Sequence, residues 1–314
     1  MANSDLRVFY GTSHPDLGKE IVQHLGGKAG DIKISRFSGG EIYARITENI
    51  RGQSCVIIQT CTDHVNDDLM ELFIIVDAMK RASAKSVAVV IPHFGYARQD
   101  RKAASREPIS ARLVANLLET AGADRVVAMD LHSDQIQGFF NLPVDTLTAL
   151  PIIANYVKDK NLKDPVVVAP DTCRVKVAKK LADRIGAKIA ILHKVRTGHH
   201  QSEVTHIVGE VKGKTVIMTD DMIDTAGTIT SGIDALRQAG CNPDVYVSAT
   251  HGIFSGPAVE RMTKANCTEV IVTDTIPIPK EKQFKGLKIL STADLLAQAI
   301  RRNYENQSIT SLFD

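Results

Sequence analysis

Short, unbroken apolar runs alternate along this chain with longer stretches that are apolar on one side only. The short runs, such as Ser86–Ile91 (SVAVVI) and Pro165–Ala169 (PVVVA), are rich in Val and Ile and show no polar alternation. A strand of that kind has both faces covered. The same pattern predicts strands at Leu6–Tyr10, Ser54–Gln59, Arg125–Met129, Ala187–Leu192, Lys214–Thr219, Asp244–Thr250, Glu269–Thr273 and Leu287–Leu290. Between them, helices are expected at Asp16–Leu25, Asn66–Arg81, Ile109–Ala121, Leu150–Asp159, Arg174–Ile185, Thr228–Ala239, Gly256–Ala265 and Thr292–Asn303. In Ile109–Ala121 the residues Ile109, Leu113, Leu117 and Leu118 share a face, with Pro108 as a start signal and Gly122 as a stop. Such alternation implies an α/β protein whose mostly parallel sheets are joined by right-handed crossovers.

At 314 residues the chain is long enough for about two domains. A boundary is expected near Pro143–Pro151, giving domains at 1–149 and 150–301. The tail 302–314 is polar but ends in Leu312 and Phe313, so it is expected to pack back onto the first domain. Each half holds an apolar strand ending in an acidic residue, Arg125–Asp130 and Lys214–Asp221, which hints at two similar domains. A hydrophobic content of 44% and a charged content of 24% exclude a disordered chain. Lys and Arg number 38 against 36 Asp and Glu, too balanced for recruitment to nucleic acid by bulk charge. Any polyanion site must be local. No apolar run approaches the roughly 18–20 residues of a membrane span, and the N-terminus does not read as a signal peptide. Cys55, Cys61, Cys173, Cys241 and Cys267 show no CxxC spacing and read as free thiols in a reducing cytoplasm.

The sharpest chemical signal is Thr215–Gly232, TVIMTDDMIDTAGTITSG. A strand is expected to end in Asp220 and Asp221, followed by a short loop and a helix beginning near Thr228. Ligands of open α/β sheets bind at the carboxyl ends of strands. Asp224, Thr225, Ala226, Gly227 and Thr228 are small or polar, so their backbone N–H groups and hydroxyls can surround a phosphate at the positive end of the helix. Asp220 and Asp221 would repel that phosphate and suit sugar hydroxyls instead, as acceptors from a 2′,3′-diol with Mg²⁺ nearby. Taken alone, the stretch also reads as an ordinary helix start with a solvated acidic turn. GEVKGKT (Gly209–Thr215) is one residue short of a P-loop and precedes its strand instead of following it.

The acidic pair and TAGT segment resemble the PRPP-binding motif of type I phosphoribosyltransferases. ARQDR (Ala97–Arg101), Ser105–His132, QIQGFF (Gln135–Phe140), THGIFSGPA (Thr250–Ala258) and SITSLF (Ser308–Phe313) together resemble the ribose-phosphate pyrophosphokinase (PRPP synthetase) family over nearly the whole chain. The resemblance implies two phosphoribosyltransferase-like domains. It also implies an enzyme that passes the β,γ-diphosphoryl group of MgATP to the anomeric hydroxyl of ribose 5-phosphate, giving PRPP and AMP. Asp220, Asp221 and Asp224–Thr228 would hold ribose 5-phosphate together with Arg196. Lys194 and Arg196 in HKVR match the basic pair of the family's mobile catalytic loop. His132 and Asp171 match positions linked to Mg²⁺, the implied cofactor, with Asp130 close by. Arg98 and Gln99 match ATP contacts, Phe37 an aromatic that packs on adenine, and Gly39, Gly40 and Glu41 the polar contacts beside it. Arg51, Lys102, Ser105, Arg106, Ser308 and Thr310 match an anion site at the subunit interfaces of a hexamer built from dimers. ATP, ribose 5-phosphate and further copies of the chain are therefore the expected partners, with neither nucleic acid nor membrane.

Two departures stand out. The family usually reads Pro-Asp-Ala-Gly-Gly where this chain has Pro170-Asp171-Thr172-Cys173-Arg174. If positive φ is required there, Cys173 and Arg174 fit poorly. Arg174 then either supplies a new cation to the pyrophosphate or obstructs it. Gly39 stands where the family usually has Asp or Asn. The alternative is a non-catalytic subunit that keeps the fold and binds an active partner. Retention of DDMIDTAGT, Lys194, Arg196 and His132 favours the enzyme. His199, His200 and His206 suggest a metal cluster only superficially, since they lie in a polar stretch with no matching ligand set.

Overall fold

The computed structural model describes residues 5–198 and 201–312, and for residues 194–198 and 201–205 the backbone course alone. The chain divides into two compact units. The first takes Met1–Thr148, Thr275–Pro277 and Ser291–Asp314, and the second Ala149–Asp274 and Ile278–Leu290.

In the first unit β1 (Leu6–Tyr10), α1 (Pro15–Leu25), β2 (Ile32–Arg36), β3 (Ile42–Ile46), β4 (Ser54–Ile58), α2 (Val65–Arg81), β5 (Ser86–Ile91), α3 (Ser110–Ala121), β6 (Arg125–Met129) and β7 (Val144–Leu147) follow in order. Strands β1-β4-β5-β6-β7 form a five-stranded sheet, parallel throughout. Its strands are buried on both faces, as their Val and Ile content requires: Ile57, Val89, Ile91 and Val126 are inaccessible. Strands β2 and β3 form a separate antiparallel ribbon.

In the second unit α4 (Leu150–Asp159), β8 (Pro165–Ala169), α5 (Val175–Ile185), β9 (Lys188–Gly198), β10 (Gln201–Val208), β11 (Thr215–Ile223), α6 (Gly227–Gln238), β12 (Val245–Gly252), α7 (Ala258–Ala265), β13 (Glu269–Thr273) and β14 (Leu287–Leu290) follow. They build a seven-stranded sheet in the order β10-β9-β8-β11-β12-β13-β14, antiparallel only at β10. Strand β11 lies at its centre, between β8 and β12. An α/β fold with two mostly parallel sheets is thus present as expected.

The chain returns to the first unit with α8 (Ala293–Tyr304). This corrects the expected partition, which left everything up to residue 301 in the second domain. The reason is an apolar face: Leu296, Ala297, Ala299 and Ile300 of α8 are buried. Arg301 donates to the His24 carbonyl at the end of α1 (2.9 Å), and Asn303 donates to Asp145 (2.8 Å). The sequence also left four strands unassigned, namely β2, β3, β7 and β10.

Polar groups fasten the carboxyl end of the first sheet. Glu71 of α2 is only 4% exposed, yet it is fully engaged. Its carboxylate accepts from the Thr12 N–H and hydroxyl (2.7 Å each) and from Gln59 Nε2 (2.9 Å). The Gln59 carbonyl oxygen in turn accepts from the Ser13 hydroxyl (2.8 Å). The loop after β1 is thereby tied to β4 and α2. Removing the carboxylate strands buried donors, each of which is expensive to leave unpaired. Glu71→Ala is expected to destabilise the chain by about 2 kcal/mol. The readout is a lowered urea midpoint by circular dichroism; an unchanged midpoint would show that the loop is held by other means.

Candidate functional site

The acidic pair does not follow its strand but belongs to it. Strand β11 runs to Ile223, because β12 continues beside it with Asp220 opposite Ala249 and Ile223 opposite Gly252. The expected end at Thr219 is therefore four residues short. The side chains of Asp220 and Asp221 are 14% and 7% exposed. Burial, and the carboxylate of Asp221 beside it, push the Asp220 carboxyl well above the usual carboxylate range, against the pull of Arg174.

Beyond Ile223 the backbone turns sharply. Ala226 takes φ 61°, the left-handed region, and α6 starts at Gly227 with no side-chain cap. The N–H groups of a first helical turn have no acceptor within the helix. They point toward the residues that precede it, so the segment from Asp224 to Thr228 curves as a cup around the helix start. Its shape is held from outside. The loop after β12 brackets it, with the N–H groups of Ile253 and Phe254 donating to the Ile223 carbonyl and that of Ser255 to the Asp224 carbonyl, all at 3.0 Å. Phe254, 1% exposed, anchors that loop in the core. Arg261 of α7 donates to the Thr225 carbonyl at 2.9 Å. Nothing in the sequence reading singled out Arg261, since 36 residues separate it from the carbonyl it touches.

The turn after β8 is a short capped helix. Asp171 caps a short helical turn at Thr172–Arg174, its Oδ1 accepting from the N–H of Cys173 (2.8 Å) and of Arg174 (3.2 Å). Neither Cys173 nor Arg174 has positive φ. The feared backbone clash at these positions is therefore absent. The Arg174 side chain pairs with the acidic residues, Nε 3.2 Å from Asp220 and Nη2 2.7 Å from Asp221.

Strand β9 extends through Gly198, so the backbone of Lys194 and Arg196 lies in a hairpin with β10, Lys194 opposite Val204 and Arg196 opposite Ser202. The sequence ended this strand at Leu192. The side chains of Lys194 and Arg196 lie outside the described residues, as do His199 and His200. His206 lies in β10.

In the first unit, Phe37 sits in the turn between β2 and β3, 57% exposed, edge-on to Tyr43 with centroids 5.6 Å apart. A core role for Phe37 is thus excluded. Gly40 takes φ 92° in this turn, closed by the Gly40 N–H donating to the Phe37 carbonyl and the Phe37 N–H to that of Glu41 (2.8 and 2.9 Å). Gly39 faces open space, so its lack of a side chain leaves no packing defect. Arg98 and Gln99 follow β5 and are exposed, with the Gln99 side chain accepting from Ser110 at the start of α3. Asp130, at φ 37°, and His132 follow β6. These positions all fall at carboxyl ends of parallel strands or in the ribbon turn. Among the described residues no three His, Cys, Asp or Glu side chains gather as a metal-holding group.

Of the residues expected at an anion site, Arg51 lies in the turn before β4, and Lys102, Ser105 and Arg106 in the loop before α3. The Ser308 and Thr310 hydroxyls are 3.2 Å apart in the tail. All five cysteines are free. Burial raises the thiol of Cys55 to about 11 and that of Cys61 to about 12, so neither is a nucleophile at neutral pH.

Residues 6–122 match the family model described as the N-terminal domain of ribose phosphate pyrophosphokinase, and 195–314 match that of a phosphoribosyl synthetase-associated domain. The fold and these matches define the class, the phosphoribosyl synthetases. The chain is 52% identical over 311 residues to the ribose-phosphate pyrophosphokinase of Bacillus subtilis, covering 99% of this chain and 98% of the relative. It is 50% identical over 313 residues to that of Fusobacterium nucleatum, covering 99% of each. The crystal structure of phosphoribosylpyrophosphate synthetase from Mycobacterium smegmatis superposes with a TM-score of 0.91 at 45% identity, over 96% of this chain and 100% of that one. The chain belongs to the ribose-phosphate pyrophosphokinase family and is an enzyme, as the sequence motifs implied. No helix among the described residues is long and apolar enough to cross a membrane.

The buried acidic pair has a measurable consequence. A carboxyl raised in the fold favours folding when protonated, so its cost is absent below the usual carboxylate range and grows as pH rises through the folded value. Asp220→Asn removes that cost while Arg174 keeps Asp221 as a partner. By calorimetry the variant is expected to melt above the native chain at about pH 8, with the gap closing toward about pH 4.

Proposed function

We propose that the chain transfers the β,γ-diphosphoryl group of ATP to the anomeric hydroxyl of ribose 5-phosphate, producing PRPP and AMP for nucleotide biosynthesis. The observation that carries this reading is the order of groups along one stretch of backbone. Two buried carboxylates in β11 are followed directly by the turn at Ala226 and the uncapped start of α6. Carboxylates accept from a sugar diol and repel phosphate; helix N–H groups do the reverse. A molecule with a vicinal diol at one end and a phosphate at the other satisfies both, and ribose 5-phosphate is such a molecule.

The remaining roles follow from charge. Transfer of a pyrophosphoryl group is mainly a matter of positioning and of stabilising charge on its oxygens. Lys194, a point charge, and Arg196, a planar fork, are assigned that task from the β9–β10 hairpin, with Arg196 also touching the ribose phosphate. The exposed face of Phe37 is assigned to adenine, with Gly39, Gly40, Glu41, Arg98 and Gln99 as polar partners of ATP. Mg²⁺ is assigned to Asp130 and His132 in the first unit and, separately, to Asp171 in the second. Carboxylate oxygens suit this hard cation, which retains water and phosphate oxygens as other ligands, and the Asp171 cap engages Oδ1 alone. When bound, Mg²⁺ supplies neutralisation of phosphate charge.

A homo-oligomer, a hexamer of three dimers, is proposed, since Met70, Leu113 and Leu117 leave apolar surface exposed on α2 and α3. Arg51, Lys102, Ser105, Arg106, Ser308 and Thr310 are assigned to an anion site between copies, with phosphate as activator. A reducing cytoplasm suits the five free thiols.

The test is product analysis with ribose 5-phosphate and MgATP. AMP and PRPP are expected in equal amounts. ADP would mean ordinary phosphoryl transfer, and bound ligands without turnover would indicate a regulatory subunit. Arg261→Ala frees the Thr225 carbonyl and loosens the cup. The KM for ribose 5-phosphate is expected to rise about three- to tenfold with the KM for ATP unchanged, the scale of one charge-assisted hydrogen bond.

A further inference from the structure

Arg174 stands where the family usually has glycine, and its guanidinium pairs with both members of the acidic pair. Strands β8 and β11 are parallel neighbours, with Val168 opposite Met218, so the turn after β8 lies beside the end of β11. The turn itself is fixed, because Asp171 holds the Arg174 N–H from below. From that base the side chain, 12% exposed, extends its Nε to Asp220 and its Nη2 to Asp221. One edge of the fork therefore engages two carboxylates from consecutive residues. Each contact takes one oxygen: Asp220 Oδ1, which also accepts from the Asp221 N–H at 2.8 Å, and Asp221 Oδ2.

We propose that Arg174 is a positioning residue of the ribose 5-phosphate site, holding Asp220 and Asp221 together and aimed as a single diol acceptor. The inference rests on the proposed function of that site. A bare pair would present two buried negative charges a few residues from the cup that takes the phosphate. Buried like charges repel each other and the anion alike, and a third, positive group relieves both. Arg174 thus does by a fixed side chain what otherwise falls to a recruited cation. It also fixes the two carboxylates relative to each other, and so which hydroxyl geometry is accepted.

The test is calorimetric titration of ribose 5-phosphate, and separately of a non-hydrolysable ATP analogue, into the full chain in magnesium-containing buffer. Arg174→Met keeps the packing of the stem and removes the charge, Arg174→Gly restores the usual family residue, and Arg174→Lys restores a charge without the fork. Ribose 5-phosphate is expected to bind about ten- to a hundredfold more weakly to the Met and Gly variants, with partial recovery in the Lys variant. Affinity for the ATP analogue is expected to stay as it was. Unchanged or tighter ribose 5-phosphate binding by the Met variant would overturn the proposal and make Arg174 a counter-ion that obstructs the site. Equal losses for both ligands would reduce it to a structural residue. Should the Gly variant fail to fold, the Met and Lys pair decides alone. A native chain that binds no ribose 5-phosphate would overturn the reading of the site itself, and the proposal with it.

Discussion

Two carboxylates on consecutive residues cannot stay charged in a protein interior unless something answers them. In this chain the second sheet is arranged around that requirement. Strand β11 carries the pair at the sheet's centre, and each neighbour delivers a supporting piece. From β8 comes the capped turn that sets Arg174 against both carboxylates. From β12 comes the loop whose amides bracket Ile223 and Asp224, anchored by Phe254. A parallel sheet makes this possible because all its strands release their chains at the same end.

The first unit solves a different problem with the same geometry. The carboxyl end of its sheet is fastened by neutral and singly charged groups, with Glu71 and Gln59 filling the space behind the loop after β1. Its exposed features are the ribbon turn with Phe37 and the loop carrying Arg98 and Gln99. Two units of related architecture thus present dissimilar chemistry, through loops and not through the sheets.

What the sequence revealed and what it hid follow from how far each signal extends along the chain. Strands such as β5 and β13 were legible because burial on both faces demands apolar residues in a row. The ribbon β2–β3 was not, since IKISR and IYARI are half-exposed and interrupted by Lys, Arg and Ser. Strand β11 was drawn too short because acidic residues look like a strand's end, whereas pairing with β12 carries the backbone past them. The same holds for β9, which β10 prolongs. The residues of the cup were legible as small and polar groups before a helix. Arg261 was not, because its partner is a distant carbonyl. Arg174 was visible as a departure, yet its partners lie 46 and 47 residues further on, at Asp220 and Asp221. Local pattern names the groups that do chemistry; the groups that hold them in place come from elsewhere in the chain.

Ala226 shows what that support means for the molecule's history. Its backbone sits where glycine is at ease and an L-residue is strained. The residue, however, is only 4% exposed and packs in the core of the second unit. One residue therefore carries two opposed demands. Glycine would relax the turn and leave a void, and anything larger would fill the core and tighten the strain. The position is caught between them, so drift there is blocked by the fold even before any ligand imposes its own preference.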